Sequence, residues 1–180
     1  MPPPHTDIAQ VKPAYPKKMV ILMLGIGGSG KSTMLATVQG DPDPKPKPTV
    51  GFVPHTLRLD QSQVQFYDLG GGDNIRDIWD SYYGDGHAIV YVIDVAGDDE
   101  NFSKSIEVAK ETLRHEYINK KPLLIFCNKV DEPNARNVSE VKAGLGMDDN
   151  ETTKIVPVTL HPKKTSEPGR YTSTDVDKSS

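Results

Sequence analysis

Met19-Val-Ile-Leu-Met-Leu24 runs directly into Gly25-Ile-Gly-Gly-Ser-Gly-Lys-Ser32. An uninterrupted apolar run is what a strand buried on both faces supplies, and the segment after it is a complete GxxxxGKS phosphate loop. A strand that ends in a glycine-rich turn and opens a helix aims successive backbone N–H groups at one point, and an anion is held there. Gly25, Gly27, Gly28 and Gly30 admit backbone angles that a side chain forbids and let the main chain approach phosphate oxygens closely. In such a loop Lys31 reaches the β- and γ-phosphates and the Ser32 hydroxyl ligates Mg²⁺. Candidate nucleotide contacts therefore include these residues with Ser29 and Thr33, and a helix is expected over 31–39.

Composition narrows the class further. The chain has 180 residues, 36% of them hydrophobic, which suits one domain with an ordinary core. A net charge of -4 argues against nucleic acid as a partner. No apolar span long enough to cross a bilayer is present, and Met1-Pro-Pro-Pro-His-Thr-Asp7 does not read as a signal peptide. Pro2 excludes N-myristoylation and no C-terminal prenylation box follows, so a cytoplasmic protein with no membrane anchor of its own is expected. Cys127, within Leu123-Leu-Ile-Phe-Cys127, reads as a small buried hydrophobe in a reducing compartment. Histidines at 5, 55, 87, 115 and 161 have no metal-ligand spacing.

Residues 1–17 carry five prolines and read as a disordered lead-in. Strands are expected over 18–24, 52–59, 63–68, 87–94, 122–128 and 154–159, and helices over 31–39, 74–83 and 102–117. Alternation of this kind predicts a three-layer α/β domain over 18–160 with a mostly parallel sheet. The short link at Gln61-Ser62 forces its two strands antiparallel, giving one antiparallel edge strand. Asp41-Pro-Asp-Pro-Lys-Pro-Lys-Pro48 can be neither helix nor central strand. It reads as a plain linker or as a loop beside the nucleotide, and its position just before Thr49 favours the loop. Residues 161–180 read as a disordered tail. The lysine pairs at 17–18, 120–121 and 163–164 read as solvated.

Three further motifs separate the possible nucleotide chemistries. Val64-Gln-Phe-Tyr-Asp68 is a strand ending in a carboxylate, the arrangement that holds Mg²⁺ through water. It leads into Leu69-Gly-Gly-Gly72, whose backbone, Gly71 included, can swing to a γ-phosphate. Asn128-Lys129-Val130-Asp131 follows a buried strand, as a guanine-reading NKxD sequence does. The Asp131 carboxylate can accept from both the ring N1–H and the exocyclic amine of guanine, whereas adenine offers an acceptor at N1 and no 2-amino group. Lys129 would cover the base with its stem, and Asn128 would tie this turn to the phosphate loop. The Thr49 hydroxyl, in Thr49-Val-Gly-Phe52, would join Ser32 on Mg²⁺ when a γ-phosphate is present and be released when it is lost.

Thr49-Val-Gly-Phe52, Asp68-Leu-Gly-Gly-Gly72, Ile75-Arg-Asp-Ile-Trp-Asp-Ser-Tyr-Tyr83 and Asn128–Asp131 together resemble the ADP-ribosylation-factor-like small GTPases over about residues 18–131. The triple glycine at 70–72 and Arg114-His115 are similar to the protein 13 branch, a ciliary group. The resemblance implies a P-loop small GTPase fold, GTP and GDP with Mg²⁺ as cofactors, and effectors docking on the switch regions. It further implies a ciliary role as exchange factor or effector toward another ADP-ribosylation-factor-like GTPase. Gly72 stands where most of the superfamily has the glutamine that orients the attacking water, so slow hydrolysis is expected, with about 3–6 kcal/mol of transition-state positioning lost. Thr159 and Leu160 occupy the place of a loop that touches guanine through backbone. The C-terminal helix of the fold is expected to be absent, because Pro162, Pro168 and Gly169 interrupt the segment that would form it. Trp79, Tyr82 and Tyr83 read as core or as partner surface. Two rivals stand beside this reading: a G-fold scaffold that binds nucleotide weakly, and an ATP-using P-loop kinase, which the scattered arginines at 58, 76, 114, 136 and 170 disfavour.

Overall fold

The apolar run forms β1 (Met19–Leu24) in a computed structural model that describes residues 19–59 and 62–160. After it come α1 (Lys31–Val38), β2 (Phe52–Leu59), β3 (Ser62–Leu69), a 3-10 turn at Arg76–Ile78, α2 (Asp80–Tyr83) and β4 (Ala88–Asp94). The chain continues through α3 (Asp99–Arg114), β5 (Leu123–Asn128), α4 (Val138–Leu145) and β6 (Thr153–Val158). The sheet order is β2-β3-β1-β4-β5-β6, with every pairing parallel except β2 with β3. The antiparallel edge strand is therefore where the short link put it. The lead-in over 1–17, the tail over 161–180 and the expected absence of a C-terminal helix lie outside the described residues.

Strand periodicity divides the core between two faces. Leu22, Leu24, Tyr91, Ile93 and Ile125 point to one side, where Trp79, Tyr83, Ile106, Ala109 and Val141 cover them. Met23, Val90 and Val92 point to the other, against Met34 and Leu35 of α1. On that second face Leu124, Phe126, Val158 and Leu160 stay half-buried. Cys127 is buried in the first cluster, and burial pushes its thiol up to about 11, which suits an inert core residue. Trp79 and Tyr83 are core, whereas Tyr82 is half-buried and packs its ring 4.7 Å from that of Phe52.

Several elements differ from the sequence expectation. The helix expected over 74–83 is a 3-10 turn followed by a single α-turn. Its start is pulled back onto the end of β3, because Trp79 Nε1 donates to Gly70 O at 2.9 Å and Arg76 Nη1 to Gly71 O at 3.2 Å. The helix expected over 102–117 begins at Asp99, since the Asp98 carboxylate caps it by accepting from Asn101 N at 2.8 Å. α4 was not expected at all. It is short, and its buried residues are only Val141 and Leu145. Lys121 is not a solvated lysine: its ammonium donates to Tyr83 O and Gly86 O, and burial lowers its pKa.

α4 is set by its ends. Asn137 Oδ1 accepts from Glu140 N at 3.0 Å while Glu140 Oε1 accepts from Asn137 N at 3.0 Å, a reciprocal capping box. Gly146 closes the other end at φ 68°. Asn137→Ala should lower global stability by about 1 kcal/mol, measured as a shift of the urea midpoint at constant slope. No shift would mean the packing of Val141 and Leu145 alone holds α4.

Candidate nucleotide site

Sheet order places the site. β1 has β3 on one side and β4 on the other. α1, which follows β1, packs on one face of the sheet, and Trp79 and Tyr83, between β3 and β4, pack on the other, so a crevice opens at the carboxyl ends of these strands. Register brings the ends level: Met23 lies beside Asp68, Leu24 beside Tyr91, and Asp94 beside Asn128. Gly25–Ser32, Asp68, Asp94 and Asn128 thus emerge along one rim.

The loop's glycines are fixed by close approach as much as by dihedral freedom. A Cβ at Gly30, where φ is 99°, would lie 2.2 Å from Asn128 Nδ2. That amide donates to Ser29 O at 2.9 Å, so Asn128 does tie the turn after β5 to the loop. Gly27 N donates to Gly71 O at 2.8 Å, and a Cβ at Gly71 would lie 2.2 Å from Gly25 O. Gly70 is equally hemmed in, by Thr49 O at 2.5 Å and Ile75 Cγ2 at 2.8 Å. Gly72 differs: a Cβ there meets only Ile75 Cδ1, at 3.7 Å.

Lys31 is buried, and its ammonium donates to Gly25 O at 2.7 Å, Ile26 O at 3.0 Å and Ser29 Oγ at 3.4 Å. Burial pushes its pKa down to about 8, against the attraction of Asp68, which pulls it up. Ser32 Oγ donates to Asp68 Oδ2, Thr49 Oγ1 lies 3.0 Å from Ser32 Oγ, and Thr49 Oγ1 donates to Asp68 Oδ2 at 3.3 Å. Residues 32, 49 and 68 therefore present three oxygen groups to one spot. Among the described residues three buried side-chain oxygens lack a hydrogen-bond partner, and two of them, Asp68 Oδ1 and Asn128 Oδ1, are here. Hard oxygen donors with an unpaired buried carboxylate oxygen fit a hydrated Mg²⁺.

Lys129 adopts φ 68°, a left-handed conformation costly for a residue with a side chain. Its ammonium pairs with Asp94 and donates to Gly28 O at 3.3 Å, so the lysine stem bridges the end of β4 and the phosphate loop. Asp131 is exposed on the same rim. A cleft of about 270 Å³ is lined by Gly28, Gly30, Thr33, Asn128, Lys129, Asp131 and Leu160, with Pro42, Asp43 and Pro44 of the proline-rich segment. That segment is thus a wall of the cleft and not a remote linker. Thr159 is exposed and does not line it.

Asp94 and Arg136 were missed as site-shaping residues. Asp94 Oδ1 accepts from Ala96 N at 2.9 Å and Gly97 N at 3.1 Å, fixing the turn that also anchors Lys129. An acidic residue ending the buried strand 88–94 was the available signal. Asp73 does not face the loop: it accepts from Arg76 at 2.5 Å and Lys104 at 2.6 Å, which hold its carboxyl below the ordinary range, Lys104 most. Arg136 donates to Gly97 O at 2.6 Å and lies 4.4 Å over the Phe102 ring, joining the two loops behind Lys129.

The arrangement has known counterparts. The model of the ADP-ribosylation factor family matches residues 6–166. The chain is 41% identical over 131 residues to ADP-ribosylation factor-like protein 13B of Chlamydomonas reinhardtii, covering 73% of this chain and 25% of that one. It is 36% identical over 131 residues to ADP-ribosylation factor-like protein 1 of Saccharomyces cerevisiae, covering 73% of this chain and 71% of the yeast protein. The chain thus spans about a quarter of the length of the first relative. Among solved structures, the Arl6 BBS3 small GTPase of Trypanosoma brucei, determined with the nucleotide analogue GppNp bound, superposes with a TM-score of 0.68 at 24% identity, covering 80% of this chain and 88% of that one. The mammalian SRP receptor superposes with a TM-score of 0.69 at 16% identity, covering 78% and 91%. Among the described residues no helix is long and apolar enough to cross a membrane. The family match over most of the chain and the fold it shares with these structures lead to one conclusion: the chain belongs to the ADP-ribosylation factor family of small GTPases.

Proposed function

We propose that this chain is a guanine-nucleotide switch that binds GTP and GDP with Mg²⁺ and hydrolyses GTP slowly. The observation that carries the reading is one rim that gathers Lys31 and the Ser32–Thr49–Asp68 oxygens beside a cleft lined by Gly28, Gly30, Thr33 and the Asn128–Asp131 turn. In this reading the loop N–H groups and Lys31 bind the phosphates, and Asp131 pairs with the base. Ser32 and Thr49 would hold Mg²⁺ directly and Asp68 through water, and the ion would supply charge neutralisation at the phosphate oxygens. Thr49 is the γ-phosphate-dependent member, and Gly51 O, which accepts from Gly70 N at 2.8 Å, couples it mechanically to the glycine segment.

The resemblance to the protein 13 branch supports a role in ciliary trafficking, with another ADP-ribosylation-factor-like GTPase as the partner activated or bound. Phe52, Tyr67 and Tyr82, whose rings lie 4.7–6.2 Å apart next to the exposed Val50 and Val53, are the surface through which effectors would dock.

The deciding experiment is equilibrium binding of GTP, GDP and ATP to the purified chain with and without Mg²⁺. Guanine-only, Mg²⁺-dependent binding is expected, weakened about a hundredfold in Asp131→Asn, where an amide donor faces the N1–H donor. A folded chain that binds no nucleotide would return the weak-binding scaffold as the better account.

Hydrolysis has its own test. The space beside Gly72 admits a side chain, so Gly72→Gln should fold normally and raise single-turnover GTP hydrolysis by about tenfold or more. An unchanged rate would assign the slow step elsewhere. A pH test follows from Lys31. Bound polyphosphate favours the ammonium form, so nucleotide affinity should fall as pH rises through about 8 and beyond, with proton uptake on binding. Calorimetry in buffers of different ionisation heat would detect that uptake, and its absence would mean Lys31 is fully charged before the ligand arrives.

A further inference from the structure

Resting on the nucleotide reading above, we propose that Arg136 is a positioning residue for base recognition: it fixes the turn that carries Asp131, and the preference for guanine depends on it. Between Lys129 and Arg136 the backbone runs through two tight turns, closed by Glu132 N donating to Lys129 O at 3.2 Å and Ala135 N to Glu132 O at 3.0 Å. Asp131 stands exposed on this arch. Both ends of the arch rest on one foundation, the turn after β4. At the near end the Lys129 ammonium pairs with Asp94. At the far end Arg136 N donates to Val95 O at 2.9 Å, and the guanidinium donates to Gly97 O at 2.6 Å and to Val95 O at 3.4 Å.

The foundation is itself gripped from two sides. Asp94 Oδ1 takes the amides of Ala96 and Gly97, while Arg136 takes the carbonyls of Val95 and Gly97. Val95 N donates to Asn128 O at 3.0 Å, which ties the same turn to the first residue of the base-reading motif. The Arg136 side chain is only 17% exposed and its guanidinium lies over the Phe102 ring. Its partner Asp99 is fully at the surface, so that ion pair contributes little and the carbonyls and the ring do the holding. A planar fork can face a ring and reach two carbonyls at once, which the single ammonium of a lysine does not do. Asp131 has to accept from two guanine donors together, and hydrogen bonds weaken steeply as distance and angle depart from the ideal. An arch with a loose far end therefore loses the base contact first, whereas Lys31, Ser32 and Asp68, set by α1 and β3, keep the phosphate end.

Calorimetric titration of the full chain with Mg²⁺ and either GDP or inosine diphosphate, which lacks the 2-amino group, tests the role. It is run on the parent, Arg136→Met, Arg136→Lys, Asp131→Asn and the double variant Arg136→Met with Asp131→Asn, each verified as folded by circular dichroism. Arg136→Met should weaken GDP about tenfold and narrow the parent's preference for GDP over inosine diphosphate about threefold or more. Arg136→Lys should fall between parent and Arg136→Met, and it carries the test, alone and with Asp131→Asn, if the methionine variant does not fold. Once Asp131→Asn has removed the base contact, the Arg136 substitution should change GDP affinity by less than about twofold. A base preference equal to the parent's in the folded Arg136 variants, or a loss of GDP affinity that persists in full without Asp131, would overturn the positioning role and leave the nucleotide reading standing. A folded parent that binds neither nucleotide would overturn both.

Discussion

Direct backbone packing between the phosphate loop and the glycine segment after β3 is the constraint on which the rest depends. Gly27 N donates to Gly71 O, and no Cβ fits at Gly71 without striking the carbonyl of Gly25. That contact brings the end of β3 against the end of β1, and with it Asp68 beside Ser32. Arg76 and Trp79 donate to the neighbouring carbonyls of Gly71 and Gly70. The stretch that would sense a γ-phosphate is therefore wired to the loop by main-chain atoms, with side chains serving as braces. A side chain at Gly70 or Gly71 would break this packing, whereas Gly72 has room for one.

Electrostatics divide the site in a second way. Lys31 is buried and satisfied by carbonyls of its own loop, at the cost of a depressed pKa. Asp68 has one carboxylate oxygen used and one without a partner. Each lacks what a phosphate and a divalent cation would jointly supply, since the anion stabilises the ammonium and the cation the carboxylate. The base end works differently. Asn128 is committed to Ser29 and Lys129 to Asp94 and Gly28, so the turn is held rigid while Asp131 stays open to solvent. The left-handed Lys129 is the visible strain, and the paired ammonium at its tip is what offsets it.

The strands and the site motifs were legible because their signals are local or sharply spaced. An apolar run before GxxxxGKS, a carboxylate at a strand end and NKVD after another buried strand each identify themselves. What escaped depended on tertiary partners. The segment over 74–83 has helical spacing in Trp79, Tyr82 and Tyr83, but hydrogen bonds back to Gly70 and Gly71 wind its start more tightly. α4 buries too few apolar side chains to announce itself, although Asn137, Glu140 and Gly146 carried its capping pattern. Asp94 and Arg136 act only through loops that the fold brings together. Lys121 looked like one of several solvated lysines, yet it donates to the carbonyls of Tyr83, at the end of α2, and Gly86, just beyond it.

The proline alternation at 42–48 has an effect on association between molecules. It leads into β2, the edge strand of the sheet, and β2 itself carries Pro54. An open strand edge invites a neighbouring chain to add to it through a row of N–H and C=O groups. Pro54 removes a donor from that row, Pro42, Pro44, Pro46 and Pro48 remove donors from the segment leading into it, and Arg58 adds a charge near the strand's end. In the proposed switch this flank would move between nucleotide states, and its prolines make it a poor template for strand addition, which would limit self-association when the loop before Thr49 is released.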